Sequence, residues 1–146
     1  MPIEAKDLRD FAKKFAVSES NEAELRAASS RAYYAAFHAL LPLAELLPAS
    51  DRCDPGAHHV GHRELQRRIQ EWRTQDVHPG LAQLTATKRQ IVLALEAARS
   101  YREIVDYQLR DVVSLNETIA QVERVRRILR QANQIYLVLN DKGEAA

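Results

Sequence analysis

The segment SRAYYAAFHAL, Ser30 to Leu40, sets an arginine, two tyrosines and a histidine among alanine, phenylalanine and leucine. On a helix otherwise suited to burial such groups have three uses: hydrogen bonds inside the fold, an interface, or a site that handles a phosphate. Arg31 and His38 stand two turns apart, about 10 Å along a helix axis, facing one side with Tyr34 between them. A guanidinium is always charged and fork-shaped, and an imidazole exchanges its proton near neutral pH, so a phosphate fits between such a pair. Against this stands a structural reading, in which the alanines at 32, 35, 36 and 39 allow close helix approach. The tyrosines then fill space and His38 satisfies a buried partner.

A second polar intrusion is Arg102, on a seam position between Ala98 and Val105 where a charge is costly unless paired. Arg99, Tyr101, Asp106 and Tyr107 surround it. Three fates are open to it: an ion pair with an acid on a neighbouring helix, a stem that snorkels outward, or contact with a ligand. If Arg31 and Arg102 face a common groove they make an anion site without any histidine base. The run HHVGH spaces His58, His59 and His62 for one helix face, but no cysteine, aspartate or glutamate completes a ligand set, so a partly exposed histidine cluster is expected and no metal. The runs RELQRRIQEWR and ERVRRILRQ put Arg63 and Arg67 on one face and Arg126 and Arg130 on another. They are read first as solvated faces balanced by nearby Glu, with RNA contact as the alternative, and Trp72 is read as core.

The chain that must position these groups has 146 residues, 46% hydrophobic and 28% charged, with 4 Gly and 5 Pro, the balance of a single helical domain with a core of its own. Its net charge of +1 gives little long-range attraction for nucleic acid, so any RNA binding must come from local arginine clusters. The single Cys53 has no partner for a bridge, no apolar run approaches a membrane span, and MPIEAKDLRDF lacks the apolar stretch of a secretory signal. A cytoplasmic protein without membrane contact is expected.

Helix signals run throughout. Ile3, Leu8, Phe11 and Phe15 share one face and predict a first helix over about Glu4–Ala16. Asn21, with Glu24 three residues on, forms a capping box for a second helix from Glu22 through Leu40. Pro42, lacking an N–H and crowding the His38 carbonyl, is expected to kink or stop that helix. PASDRCDPGA, Pro48 to Ala57, reads as loop. A third helix, about His59 to Arg73, carries Leu65, Ile69 and Trp72.

After the turn at Pro79 and Gly80 the longest helix is expected, its seam formed by Leu81, Leu84, Lys88, Ile91, Leu95, Ala98, Arg102, Val105, Leu109 and Val112. Ser114 and Glu117 have capping-box spacing for the last, whose seam is Ile119, Val122, Val125, Leu129, Ala132, Tyr136 and Leu139. The sum is an all-α, antiparallel four-helix bundle over about 4–139 with a short additional N-terminal helix, one domain over 1–146, and a short disordered tail at 140–146.

SRAYYAAFHALL on the second helix, GHRELQRRI opening the third and ARSYREIVDYQL late in the fourth together resemble, in that order, the HEPN domains of bacteria and archaea. The resemblance spans roughly Asn21 to Tyr136, and YYAAFHA is its most specific piece. It implies a helical bundle that often dimerises. Many members are metal-independent RNases and toxins, others accompany a nucleotidyltransferase, and some only bind.

The family's ribonuclease signature is an arginine, four to six residues, then a histidine, and Arg31 and His38 enclose AYYAAF. Carried onto these positions, His38 takes the 2′-hydroxyl proton of RNA and Arg31 holds the phosphate as charge builds in the transition state. Tyr34, Arg102 and Tyr107 are the substrate-binding residues of this reading, and no cofactor is required. In the family's well-defined RNases the signature lies toward the C-terminal side, where this chain has Arg102, EIVD and Tyr107 and no histidine. The expectation is a homodimer acting on RNA as an endoribonuclease of toxin or defence type, with an antitoxin as possible partner. The alternatives are a non-catalytic partner that binds nucleotide or a second protein, such as a nucleotidyltransferase, and a purely structural helical adaptor.

Overall fold

A computed structural model of the chain describes residues 3–72 and 78–140. Among them are five α-helices, one 3-10 segment and no strand: α1 Ala5–Phe15, α2 Glu22–Leu46, α3 His62–Glu71, the 3-10 segment Pro79–Leu84, α4 Thr85–Tyr107 and α5 Leu115–Leu139. The expected end of the third helix at Arg73 and the expected tail beyond Asn140 lie outside the described residues.

The caps behave as their chemistry requires. Asn21 Oδ1 accepts from the Glu24 N–H at 2.9 Å and the Glu24 carboxylate accepts from the Asn21 N–H at 3.0 Å, so two otherwise unpaired donors at the start of α2 are satisfied. Ser114 Oγ accepts from the Glu117 N–H at 3.2 Å and caps α5, but the expected box is only half formed, the Glu117 carboxylate accepting from the Ser114 hydroxyl at 2.9 Å and not from its backbone N–H. The Asp7 carboxylate accepts from the Glu4 N–H at 2.8 Å to start α1. The apolar face expected for that helix is only partly right. Leu8 and Phe15 pack on the core, whereas Ile3 and Phe11 are exposed.

The second helix does not stop at Pro42. It runs on to Leu46, and the irregularity is absorbed by a residue of α5: the Tyr136 hydroxyl donates to the Ala39 carbonyl at 2.8 Å and accepts from the Leu43 N–H at 2.9 Å. Those two backbone groups would bond each other in a regular helix, so the hydroxyl is inserted into the ladder beside the rung that proline removes.

The third helix is shorter than expected, because Gly61 caps it and the histidines at 58 and 59 lie in the preceding loop. Its Leu65 and Ile69, with Trp72 just beyond, are buried as the spacing predicts. Glu64 ties the loop to this helix by accepting from both the N–H and the hydroxyl of Ser50, while Arg68 donates to Glu64 at 2.6 Å and to the Ala44 carbonyl at 3.0 Å.

The fourth helix is not the longest and does not carry its seam to Val112. It spans 23 residues against 25 for α2 and α5, and Leu109 and Val112 are exposed beyond its end. Arg26 supplies the reason. Its guanidinium donates to the carbonyls of Val105, Gln108 and Asp111, holding the chain in a turn that satisfies the last carbonyls of α4. Lys88, another seam position, sends its ammonium to the Trp72 carbonyl. On α5, Ile119 is exposed, and Thr118 and Gln121 are buried instead, bonded to Ser29 Oγ at 3.2 Å and the Ala98 carbonyl at 2.8 Å.

Helices α2, α4 and α5 pack against one another around the core of Tyr33, Leu40, Leu43, Ile91, Leu95 and Ile128, each such side chain stabilising by about 2 kcal/mol when withdrawn from water. Pairing of Arg26 with Val105 and, further along α2, of Tyr33 with Arg102 shows that α4 is antiparallel to α2, and the Gln121 bond to Ala98 with that of Gln131 to Gln90 shows it antiparallel to α5. The pairs Ser29 with Thr118 and Ala39 with Tyr136 make α2 and α5 parallel, so the bundle is not antiparallel throughout. The short helices flank this frame, α1 against α2 and α5, and α3 against α2 and α4. The alanines at 32, 35 and 36 are wholly enclosed and let the neighbouring helices approach α2 closely.

Candidate functional site

Periodicity on α2 divides SRAYYAAFHAL between two environments. Tyr33 and Phe37 turn inward, while Arg31 and His38 stay exposed and Tyr34 is half-buried between them. Arg31, Tyr34 and His38 line one open cleft of about 520 Å³, closed on its other side by Ile3, Glu4 and the start of α1. Among the described residues neither Arg31 nor His38 has a hydrogen-bond or ion-pair partner, and the His38 ring meets only the Phe37 ring edge-on at 5.2 Å. One carboxylate, that of Glu4, reaches the cleft, and Lys6 pairs with it at 3.2 Å.

Behind Tyr34 the site is built from aromatic rings and cations. The Tyr33 hydroxyl lies 2.7 Å from His62 Nδ1, and His62 packs its ring against Tyr34 at 5.8 Å and Phe37 at 4.3 Å. Burial pushes the Tyr33 phenol up to about 12, so it stays protonated. His62 is held below its ordinary value first by burial, then by the charges of Arg102, Arg99 and His38.

Arg102 is buried, its side chain 9% exposed. The guanidinium lies over the rings of Tyr33 at 5.3 Å, Tyr34 at 5.9 Å and Tyr107 at 5.9 Å, where the electron-rich faces stabilise a cation. Asp106 stands 3.7 Å away on the same helix, not on a neighbouring one, and also accepts from Ser30 Oγ at 3.2 Å. Arg102 Nε has no partner among the described residues.

Arg31, Tyr34 and His38 are therefore brought together, and Arg102 is not. It does not line their cleft, so the condition of a groove shared by Arg31 and Arg102 is not met there; Arg102 lies against the ring of Tyr34, which the cleft exposes. Tyr107, at the end of α4, is 74% exposed and does not line the cleft; its ring meets Arg102. The residue that sequence reasoning missed is His62, treated there as one of three surface histidines. Its signal was faint: it is the one histidine of HHVGH that begins a helix.

No protein-family model, curated protein or solved structure matches the chain. Among the described residues no group of three or more His, Cys, Asp or Glu could hold a metal ion, and no helix is long and apolar enough to cross a membrane.

Proposed function

We propose that this protein is a HEPN-like, metal-independent endoribonuclease of the toxin or defence type, acting as a homodimer in the cytoplasm, with Arg31 and His38 as its reacting pair. One observation carries the reading: a guanidinium and an imidazole, neither with a partner among the described residues, share one open cleft two turns apart on a helix whose opposite face is buried. His38 removes the proton of a ribose 2′-hydroxyl, and the freed oxygen attacks the adjacent phosphorus. The 5′-oxygen of the next nucleotide leaves and takes a proton from water, giving a 2′,3′-cyclic phosphate and a free 5′-hydroxyl. Arg31 holds the non-bridging oxygens as their charge grows. Tyr34 offers a ring face at the cleft wall for a base, Arg102 holds that ring from behind, and Tyr107 covers Arg102.

The test is incubation of RNA with the purified protein in EDTA. Cleavage leaving cyclic-phosphate ends, no attack on DNA, and loss of cleavage in both Arg31→Ala and His38→Ala support the assignment. Cleavage that persists in the two variants removes it. Light scattering on the same preparation reads the dimer.

A second reading, a non-catalytic module that binds nucleotide, an antitoxin or a nucleotidyltransferase, is favoured by the other side of the same observation. Among the described residues nothing hydrogen-bonds to His38, so no group orients its ring as a general base is usually oriented. Failure of the parent protein to cleave any RNA supports that reading.

A further inference from the structure

The first turns of α3 and the middle of α4 form a second cationic surface that the proposed reaction does not use. Arg63 and Arg67, one turn apart on α3, line a cleft of about 400 Å³ with Arg99 of α4 and Arg52 of the preceding loop. The same Arg63, Arg67 and Arg99, with Gln66 and Gln70, line an adjoining cleft of about 240 Å³. The nearby acids are largely engaged. Glu64 is held by Ser50 and Arg68, and the Asp54 carboxylate accepts from the Gly56 N–H at 2.9 Å. Glu103 is 3.6 Å from Arg99 Nε and half-exposed, leaving Arg52, Arg63 and Arg67 without an ion pair among the described residues. In a chain of net charge +1 this is a concentrated local excess. The start of α3 opens into the same cleft, and its cap Gly61 supplies no side chain to the first-turn N–H groups.

His62 joins this surface to the first site. Its residue lines the arginine cleft, and its ring meets edge-on, at 5.8 Å, the Tyr34 ring that walls the Arg31 and His38 cleft.

We propose that the arginine cleft is a phosphate track: it takes the phosphodiester backbone of a single-stranded RNA that continues from the Arg31 and His38 cleft across the Tyr34 and His62 rings. The proposal rests on the reading of the protein as one that acts on RNA, and adds where the strand lies. The arginines hold successive phosphates without reading bases, so affinity grows with strand length and falls with salt.

The test uses the full chain and a labelled 2′-O-methyl RNA of about twelve nucleotides, which 2′-hydroxyl chemistry cannot cut whatever the role of His38. Arg63→Gln with Arg67→Gln is expected to weaken binding about tenfold or more and to flatten the slope of log affinity against log salt by about 1.4, two phosphates' worth on a single strand. Arg126→Gln with Arg130→Gln, an equal charge change on α5, is expected to leave both nearly unchanged, and circular dichroism checks that each variant is folded. The track is overturned if the α3 variant binds like the parent, if the α5 variant loses as much, if a dinucleotide binds as tightly as the longer strand, or if the parent binds none. The two proposals fail separately. Deficient binding in the α3 variant with no cleavage by the parent removes the nuclease and keeps the track, whereas cleavage with unaltered binding does the reverse.

Discussion

The Tyr33 hydroxyl and Nδ1 of His62 share a hydrogen bond of 2.7 Å, tying the centre of α2 to the first residue of α3. A hydrogen bond given to an imidazole nitrogen favours the neutral ring, because protonation there would destroy it. Tyr33→Phe is expected to raise the titration of His62, read from its ring protons by NMR, and to lower stability by about 1 kcal/mol through the nitrogen left unpaired. An unchanged His62 titration would mean that the ring, not the phenol, donates in this pair.

Stability should fall with acid in two separate windows. His62 titrates below its usual 6.5 in the folded chain, so the unfolded chain binds more protons. Its contribution is complete above that value and is lost as the pH falls toward the folded value. Burial pushes the Glu64 carboxyl up, but bonds from Ser50 and Arg68 and the Arg68 charge outweigh it and hold the group at about 2. Its contribution is complete above its ordinary 4.5 and is lost as the pH falls toward about 2. Urea midpoints across the acid range test this: His62→Leu should flatten the upper window and Glu64→Gln the lower.

Tyr136→Phe removes the oxygen that bridges Ala39 and Leu43. The expected cost is about 1–2 kcal/mol, since a carbonyl and an N–H on a buried part of α2 lose their partner together. Denaturant unfolding measures it. A variant as stable as the parent would mean that α2 recloses its own rung.

Arg31→Ala and His38→Ala should leave stability within about 0.5 kcal/mol of the parent, because both side chains are exposed and neither holds a partner among the described residues. In the ribonuclease reading each lowers cleavage about a hundredfold or more. Loss of fold in either variant would assign the pair a structural task.

Arg102→Ala is expected to cost about 2 kcal/mol, because it empties a space walled by three tyrosine rings. Arg102→Lys should recover only part of this, since an ammonium lacks the flat face that lies on those rings. Equal stability of the lysine variant and the parent would reduce Arg102 to a point charge.

What the sequence makes legible here is local. The capping box at Asn21 and Glu24, the Ser114 cap, the loop from Pro48 and the buried faces at Leu65 and Ile69 depend on neighbours a few residues away, and each lies where its spacing predicts. So does the sharing of one helix side by Arg31, Tyr34 and His38. The late start of α3 at Gly61 is local too, but other errors come from distant groups. Whether α2 survives Pro42 is decided by Tyr136, 97 residues from Ala39, and where α4 ends is decided by Arg26, 79 residues before Val105. Leu109 and Val112 fit a helical period, but periodicity carries no information about an arginine on another helix taking the carbonyls of that turn. His62 escaped notice for the same reason, its partner Tyr33 standing 29 residues away.

The oxygen that completes α2 belongs to the last helix of the chain. During synthesis the final turn of α2 therefore waits, emerging from the ribosome long before the group that closes its open rung exists. The amide of Leu43 is a built-in reporter of that final docking step, exchanging freely with solvent deuterium until α5 arrives and slowing only afterwards.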